Sequence, residues 1–126
     1  MVRWVLIVFL IAHAVVHLNL WVSKSVAAPG AEPTRSWLFG DQPALAAGMA
    51  VATAALFAVA ALGLIVRAGW WGSLTVLASG ASLALTALFP AAFKPAGWVL
   101  APVAIDVGLI MGVVLFSWPS RAAFGG

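Results

Sequence analysis

Four apolar stretches dominate this chain, and each is long enough to cross a lipid bilayer. A membrane-spanning helix needs roughly 20 mostly apolar residues. Segments that meet this requirement cover residues 4–22, 43–66, 70–89 and 98–118. The short connection Arg67-Ala68-Gly69 forces the second and third segments to lie antiparallel. We therefore predict an all-α integral membrane protein, a single transmembrane domain over residues 1–126 folded as an antiparallel four-helix transmembrane bundle.

The composition supports lipid as the solvent of this chain. Hydrophobic residues make up 65% of it and charged residues 7%, whereas soluble domains are typically about 45–50% apolar and about 25% charged. The six Lys and Arg residues are scattered singly, so we expect no nucleic-acid binding and interpret the positive charge as a topology signal. The absence of cysteine excludes disulfides, thiolate metal sites, iron–sulfur clusters and covalently attached c-type haem.

Tryptophans mark the ends of the predicted spans. The Trp ring prefers the membrane–water interface, because it is apolar but its N–H needs a partner. Six of the seven Trp residues lie at span ends, namely Trp4, Trp21, Trp70, Trp71, Trp98 and Trp118. None lies in the middle of a span, which supports the boundaries given above.

The positions of Lys and Arg give the expected orientation. Arg3, Arg67 and Arg121 fall on one side of the membrane, and Lys24, Arg35 and Lys94 fall on the other. The positive-inside rule counts only Lys and Arg near the span ends, and each side has three of them, so this count does not decide the orientation. The all-Arg side has shorter tails and no acidic residues, which favours termini in the cytoplasm. The Ala, Val and Gly bias indicates a bacterium with a GC-rich genome, so we expect a multi-pass protein of the bacterial inner membrane.

The first span has an alternative interpretation as a cleaved signal peptide. Arg3 supplies a basic start and Val26-Ala27-Ala28 a cleavage pattern. The apolar stretch is long for such a peptide and contains polar residues, which favours a retained span.

The outer loop, residues 23–42, is rich in turn formers. Within it, residues 36–39 are expected to form a short interfacial helix, with Trp37 and Phe39 reaching the headgroups.

Small residues recur at helical spacing along the predicted spans. Membrane helices associate through close packing of such residues, because lipid tails are as apolar as leucine. The fourth span contains Ala104, Gly108 and Gly112, which includes a G-x-x-x-G pattern. One interpretation is packing inside the bundle. The other is that Gly108 and Gly112 contact another protein or a second copy of this chain.

Three ionisable residues inside the predicted spans are the strongest functional signal. Such residues disfavour insertion by about 2.5–3.5 kcal/mol and are functional by default. His13 and His17 are four residues apart on one helix face. A rise of about 1.5 Å per residue, counted from Trp21 in the first span and from Trp98 in the fourth, places Asp106 at the same depth as the two histidines. A buried carboxylate needs a partner, so we predict that Asp106 faces His17 or His13, with Asn19 able to contribute near the surface.

Several roles remain open for this group of side chains. A His–Asp hydrogen bond could simply fix the register of two helices, or the residues could reach water separately. As a functional site, His13, His17 and Asp106 are candidate catalytic residues, and His13 or His17 a candidate axial ligand of a haem or pigment. We predict no metal site, because the two histidines would have only Asp106 as a third ligand. The identity of any cofactor is open.

Short motifs give the chain a family resemblance. They are His-Ala-Val-Val-His-Leu at 13–18, Pro-Ala-Leu-Ala at 43–46, Gly63-Leu with Arg67, Gly-Trp-Trp at 69–71 and Ala-Phe-Lys-Pro-Ala-Gly at 92–97. With them the chain resembles small bacterial four-helix membrane proteins and, in part, DoxX-like proteins. The resemblance implies the four-helix membrane architecture and no particular activity.

Two functions are compatible with these features. The favoured one is a small accessory or scaffold subunit that packs in a larger membrane complex or a homo-oligomer. The small size, the sparse site chemistry and the small-residue faces indicate it. The alternative is a membrane-embedded enzyme or ligand- and cofactor-binding protein that acts on a lipophilic molecule through the His/His/Asp group. A transporter or proton path is less favoured, since the spans have few polar faces.

Overall fold

The computed structural model describes residues 1–117, and most of them are helical. Four α-helices carry the fold: α1 (Val2–His17), α2 (Pro43–Ile65), α3 (Trp71–Leu88) and α4 (Leu100–Val114). A π-helical turn, Leu18–Val22, extends α1, and 3-10 turns at Pro90–Ala92 and Ala96–Val99 precede α4. With these extensions, four segments are long and apolar enough to cross a membrane. The composition is therefore that of a multi-pass membrane protein.

The observed helices match the predicted spans except at the end of the fourth. The first three begin and end within two residues of their predicted bounds. Helix α4 ends at Val114 rather than at residue 118, and Ser117 has a left-handed φ of 48°. Pro119 follows Ser117 by two residues in the sequence. Because the residue before a proline avoids helical geometry, the helix is favoured to end before this point. Trp118 and Arg121, which supported the predicted boundary and orientation, lie outside the described residues.

The second and third helices form the centre of the packing. Helix α2 packs along both α1 and α3, and α4 packs mainly on α3. One apolar cluster includes Leu6, Leu10, Phe57 and Leu64, and a second lies near Trp21 and Phe89. Only 6% of the fourth span is buried within the chain, against 33% to 44% of the other three. Helix α4 is therefore the peripheral helix of this fold.

The connection between α2 and α3 is a tight C-terminal cap. Ala68 N–H donates to the carbonyl of Gly63 (2.8 Å), and Arg67 N–H donates to that of Leu64 (3.4 Å). This is the hydrogen-bond pattern of a Schellman motif, whose left-handed position is held by Arg67 at φ 58°. A Cβ at Gly63 would lie 2.6 Å from the Trp70 ring and 2.9 Å from Trp71 Cβ. The turn therefore depends on the missing side chain of Gly63.

The prediction of an interfacial helix at residues 36–39 is wrong, because these residues form the tip of a β-hairpin. Strands β1 (Arg35–Ser36) and β2 (Gly40–Asp41) pair antiparallel. Ser36 Oγ accepts the N–H groups of Leu38 and Phe39, each at 3.2 Å. A serine hydroxyl that binds nearby backbone N–H groups stabilises a turn in competition with a helix. Gly40, at φ 74°, supplies the left-handed residue that closes the hairpin.

The hairpin is fastened to the end of α3 by Trp37. Its indole N–H donates to the carbonyl of Ala87 at 2.6 Å, which is one of the last carbonyls of the helix and has no partner within it. The rest of the Trp37 side chain remains exposed, as do Leu38 and Phe39. The contact of Trp37 and Phe39 with lipid headgroups stays a prediction.

We expect Gly63→Ala to destabilise the fold and Gly80→Ala to leave it intact. The new methyl at position 63 would clash with Trp71 Cβ, which the backbone of α3 holds in place, and such overpacking costs about 1–3 kcal/mol. A Cβ at Gly80 meets no described atom within 4 Å, and helical Gly→Ala gains up to about 1 kcal/mol. Thermal unfolding in detergent, followed by circular dichroism, measures both. Equal stability of the two variants would contradict this account of the turn.

Candidate functional site

The predicted contact between Asp106 and the histidines of the first span is confirmed. His13 and Asp106 come together across α1 and α4, with His13 Nε2 3.1 Å from Asp106 Oδ1. A carboxylate oxygen accepts hydrogen bonds, so the imidazole N–H donates. Asp106 is fully buried and His13 is 8% exposed. The pair is therefore a desolvated polar contact between two apolar helices, the environment in which loss of one partner matters most.

His17 contacts a different helix from the one that carries Asp106. Its Nδ1 lies 2.7 Å from the carbonyl oxygen of His13 and its Nε2 lies 2.8 Å from Ser82 Oγ on α3. Because a carbonyl only accepts, the proton is on Nδ1. In the neutral imidazole, Nε2 then accepts the hydroxyl proton of Ser82. One face of α1 thus bonds to α4 through His13 and to α3 through His17.

Aromatic side chains enclose the two imidazoles. The edge of Phe57 packs against His13 with ring centroids 4.7 Å apart, and it lies 5.7 Å from His17. Phe9 stacks on His13 at 5.9 Å, and Trp21 lies 5.5 Å from His17. These rings exclude water from the sides of the site and hold the imidazoles in fixed orientations. The polar contacts are therefore formed in an environment of low dielectric, which strengthens them.

Sequence reasoning missed the partner of His17 and the role of Phe57. Ser82 belongs to a row of hydroxyl residues on the third span, and such side chains in a helix commonly bond to the carbonyl one turn earlier. Thr75 does so, since its hydroxyl donates to the Trp71 carbonyl at 2.9 Å, so the row by itself does not single out Ser82. Nothing in the sequence distinguishes Phe57 from the other apolar residues of α2. Asn19, suggested as a further contributor, instead accepts from the hydroxyl of Ser23 at 3.5 Å.

An apolar crevice lies beside the site, between α1 and α4. It has a volume of about 220 Å³ and is floored by Trp71 and Thr75 of α3. Its walls include Phe9 of α1 with Gly108 and Gly112 of α4. A second, wholly apolar hollow of about 460 Å³ shares Leu6, Phe9 and Leu109 with the first and extends to the start of α1. The two hollows together form a groove that runs from the start of α1 to Phe9, which stacks on His13.

The hydrogen bonds limit what this site can bind. Both ring nitrogens of His17 are engaged, as is Nε2 of His13. Among the described residues, His13 Nδ1 has no hydrogen-bond partner. A histidine whose other nitrogen donates to a carboxylate is the usual arrangement of an imidazole that acts as a ligand or base. Within residues 1–117, no group of three His, Cys, Asp or Glu side chains is arranged to hold a metal ion.

Comparisons with known proteins add no relative: no family model, curated protein or solved structure matches this chain. The resemblance to DoxX-like proteins therefore stays a prediction from short motifs. The roles of His13, His17 and Asp106 rest on the geometry described above.

We expect the His13–Asp106 contact to show strong coupling in a double-mutant cycle. Asp106→Leu alone leaves the imidazole N–H of His13 buried without an acceptor, which costs about 1–3 kcal/mol. The double variant His13→Leu/Asp106→Leu removes both groups and should regain much of that loss. Coupling energies for polar contacts between membrane helices reach about 1.7 kcal/mol. Unfolding in mixed detergent micelles gives the four free energies, and additive effects would contradict a direct contact.

Proposed function

We propose that this chain is a small accessory subunit of the bacterial inner membrane that docks on a transmembrane helix of a larger complex or of a second copy. In this proposal its four helices form an antiparallel transmembrane bundle with both termini in the cytoplasm. The observation that carries the proposal is the position of α4, of which only 6% is buried within the chain. Helix α2 packs on both α1 and α3, whereas α4 has one side on α3 and leaves the rest of its surface to a neighbour.

The small residues of α4 support docking rather than packing inside the chain. A Cβ at Gly108 would meet no heavy atom of the described residues within 4 Å, and Ala104 beside it is exposed. The close approach between α3 and α4 occurs instead at Gly72, where a Cβ would lie 3.2 Å from Val113. This open space favours contact with another helix over packing inside the chain. The small residues line the crevice beside α1, and there they let a second helix approach closely and gain dispersion contacts in lipid.

We expect Gly108→Leu to weaken association while the fold is retained. The larger side chain would separate α4 from an approaching helix, and nothing within the described chain opposes it at that position. Gly80→Leu is the matched control, since Gly80 is also an exposed helical glycine with open space around it. Native mass spectrometry from mild detergent measures the species formed. Equal assembly of both variants, or a wild-type protein that is wholly monomeric without a partner, would refute this docking role.

A second candidate function is binding of a lipophilic molecule, such as a quinone, pigment or lipid, in the groove between α1 and α4. The observation that favours it is the apolar groove whose wall residue Phe9 stacks on His13, an imidazole that uses only Nε2 in its contact with Asp106. The apolar walls would hold a hydrocarbon chain or ring, and His13 Nδ1 would bind a polar headgroup or metal of a pigment. The Asp106 carboxylate would orient the imidazole through its contact with Nε2. Catalysis on such a molecule would use the same nitrogen as the base.

The variant His13→Gln tests this candidate. A glutamine amide can still donate to Asp106, but it lacks the second ring nitrogen, so the bound molecule should be lost while the helices stay paired. Thr53→Val is the control, because the Thr53 hydroxyl on α2 is satisfied by the Met49 carbonyl at 2.7 Å. Absorption spectroscopy and mass spectrometry of material that co-purifies with each protein give the result. Retention of the same molecule by His13→Gln would exclude His13 as its ligand.

A further inference from the structure

Two rows of polar side chains face each other between α1 and α3. On the first helix and its π-helical extension the row consists of His13, His17 and Trp21, spaced by four residues. On α3 it consists of Ser79, Ser82 and Thr86. All six side chains are buried. The rows are joined at their middle members, where His17 and Ser82 form the 2.8 Å hydrogen bond.

The direction of the two helices sets which residues share a level. The beginning of α1 and the beginning of α3 line the same crevice, through Phe9 and Thr75. The two rows therefore run in the same direction from that crevice toward the end of the molecule that carries residues 23–42, which we term the loop end. With His17 opposite Ser82, Ser79 falls near the level of His13 and Asp106. Thr86 falls near the level of Trp21, one turn closer to the loop end.

At each of these two outer levels, buried polar atoms have no partner among the described residues. Near the loop end they are Trp21 Nε1 and Thr86 Oγ1, and at the deeper level they are Ser79 Oγ and Asp106 Oδ2. Burial of such a group without a hydrogen bond is unfavourable, because it loses its bonds to water and gains none in return. The two sets are complementary to water. The indole N–H donates, the carboxylate oxygen accepts, and the hydroxyls do both. A buried water typically makes two to four such bonds.

The backbone of α1 changes geometry between these two levels. The turn Leu18–Val22 is π-helical and closes with Ser23 N–H donating to the Leu18 carbonyl at 2.9 Å. Single π-helical turns are uncommon and occur mostly at functional sites. This turn carries Trp21, which places its indole among the unpartnered groups. The π-helical turn is an observation independent of the polar atoms, and it occurs at the same place.

We propose that this chain binds a short file of water between α1 and α3. One water position lies between Trp21 and Thr86, and a second lies between Ser79 and Asp106 Oδ2. The Ser82 hydroxyl, held by His17, connects the two levels. On the other side of the site lie the buried apolar side chains Leu6, Ile7 and Leu10. The unpartnered atoms of the two levels therefore form a path toward Asp106 from the loop end. This inference does not depend on docking of α4 or on occupation of the groove.

Radiolytic footprinting of the purified protein in mild detergent tests the water file. Water bound beside a buried side chain yields hydroxyl radicals on the spot, so brief X-ray exposure oxidises side chains that contact it. Trp21 reports on the level near the loop end and is 2% exposed, and Phe57, packed on both imidazoles, reports on the deeper level and is fully buried. We expect both to be oxidised at rates comparable to that of the exposed Trp37.

Three conservative variants make the test specific. Thr86→Val should lower oxidation of Trp21 several-fold, and Ser79→Ala should lower that of Phe57. Thr75→Val is the matched control, because its hydroxyl lies buried on the same helix but is already bonded to its own backbone. Absence of oxidation at Trp21 and Phe57 in the unaltered protein would overturn the proposal. Oxidation of Trp21 alone would overturn the deeper position, and an equal effect of Thr75→Val would show that the labelling reflects loosened packing.

Discussion

The contact between Asp106 and His13 is the interaction on which the arrangement of this chain depends. A carboxylate placed on an otherwise apolar helix must be paired when it is buried, because its desolvation is otherwise too unfavourable. Asp106 is the only Asp or Glu within the described helices, so its partner decides which face of α4 turns inward. His13 in turn is fixed by Phe9 and Phe57. The inward face of α4 therefore combines this hydrogen bond with the apolar packing of Leu109 and Val113 on the core.

The hydrogen bond between His13 and Asp106 explains why α4 is attached to the other helices although much of its surface remains exposed. Helix α2 buries apolar faces against α1 and α3, whereas α4 packs mainly on α3 and reaches α1 through a polar contact. The remaining space between α1 and α4 becomes the apolar groove, which the small residues of α4 line. Docking and lipophilic binding thus arise from the same feature. Both proposed functions use a helix that the rest of the chain leaves largely open.

The loop end shows how polar backbone groups are satisfied beside an apolar bundle. Trp37 donates to a carbonyl at the end of α3, and the Glu32 N–H donates to the Ala91 carbonyl at 2.8 Å. These bonds tie the long loop to the connection that precedes α4. The hairpin tip, residues 37–39, consists of large exposed apolar side chains, a composition typical of contact with the interfacial region of a membrane. The loop therefore covers the end of the bundle as an ordered layer.

The sequence by itself determined the four helices, the tight turn between α2 and α3, and the level along the helices at which His13 and Asp106 meet. Long apolar runs have few alternatives to helices, and a rise of about 1.5 Å per residue converts spacing into depth. That Asp106 meets a histidine followed from depth and from the need of a buried charge for a partner. The tertiary structure alone decided which histidine it meets, that Ser82 binds the other, and that Gly108 lines the groove beside α1. Those outcomes depend on helix rotation, and in a chain apolar on every face the hydrophobic pattern hardly distinguishes one rotation from another. The hairpin at residues 35–41 likewise depended on local hydrogen bonds from Ser36 that outweigh a weak helical preference.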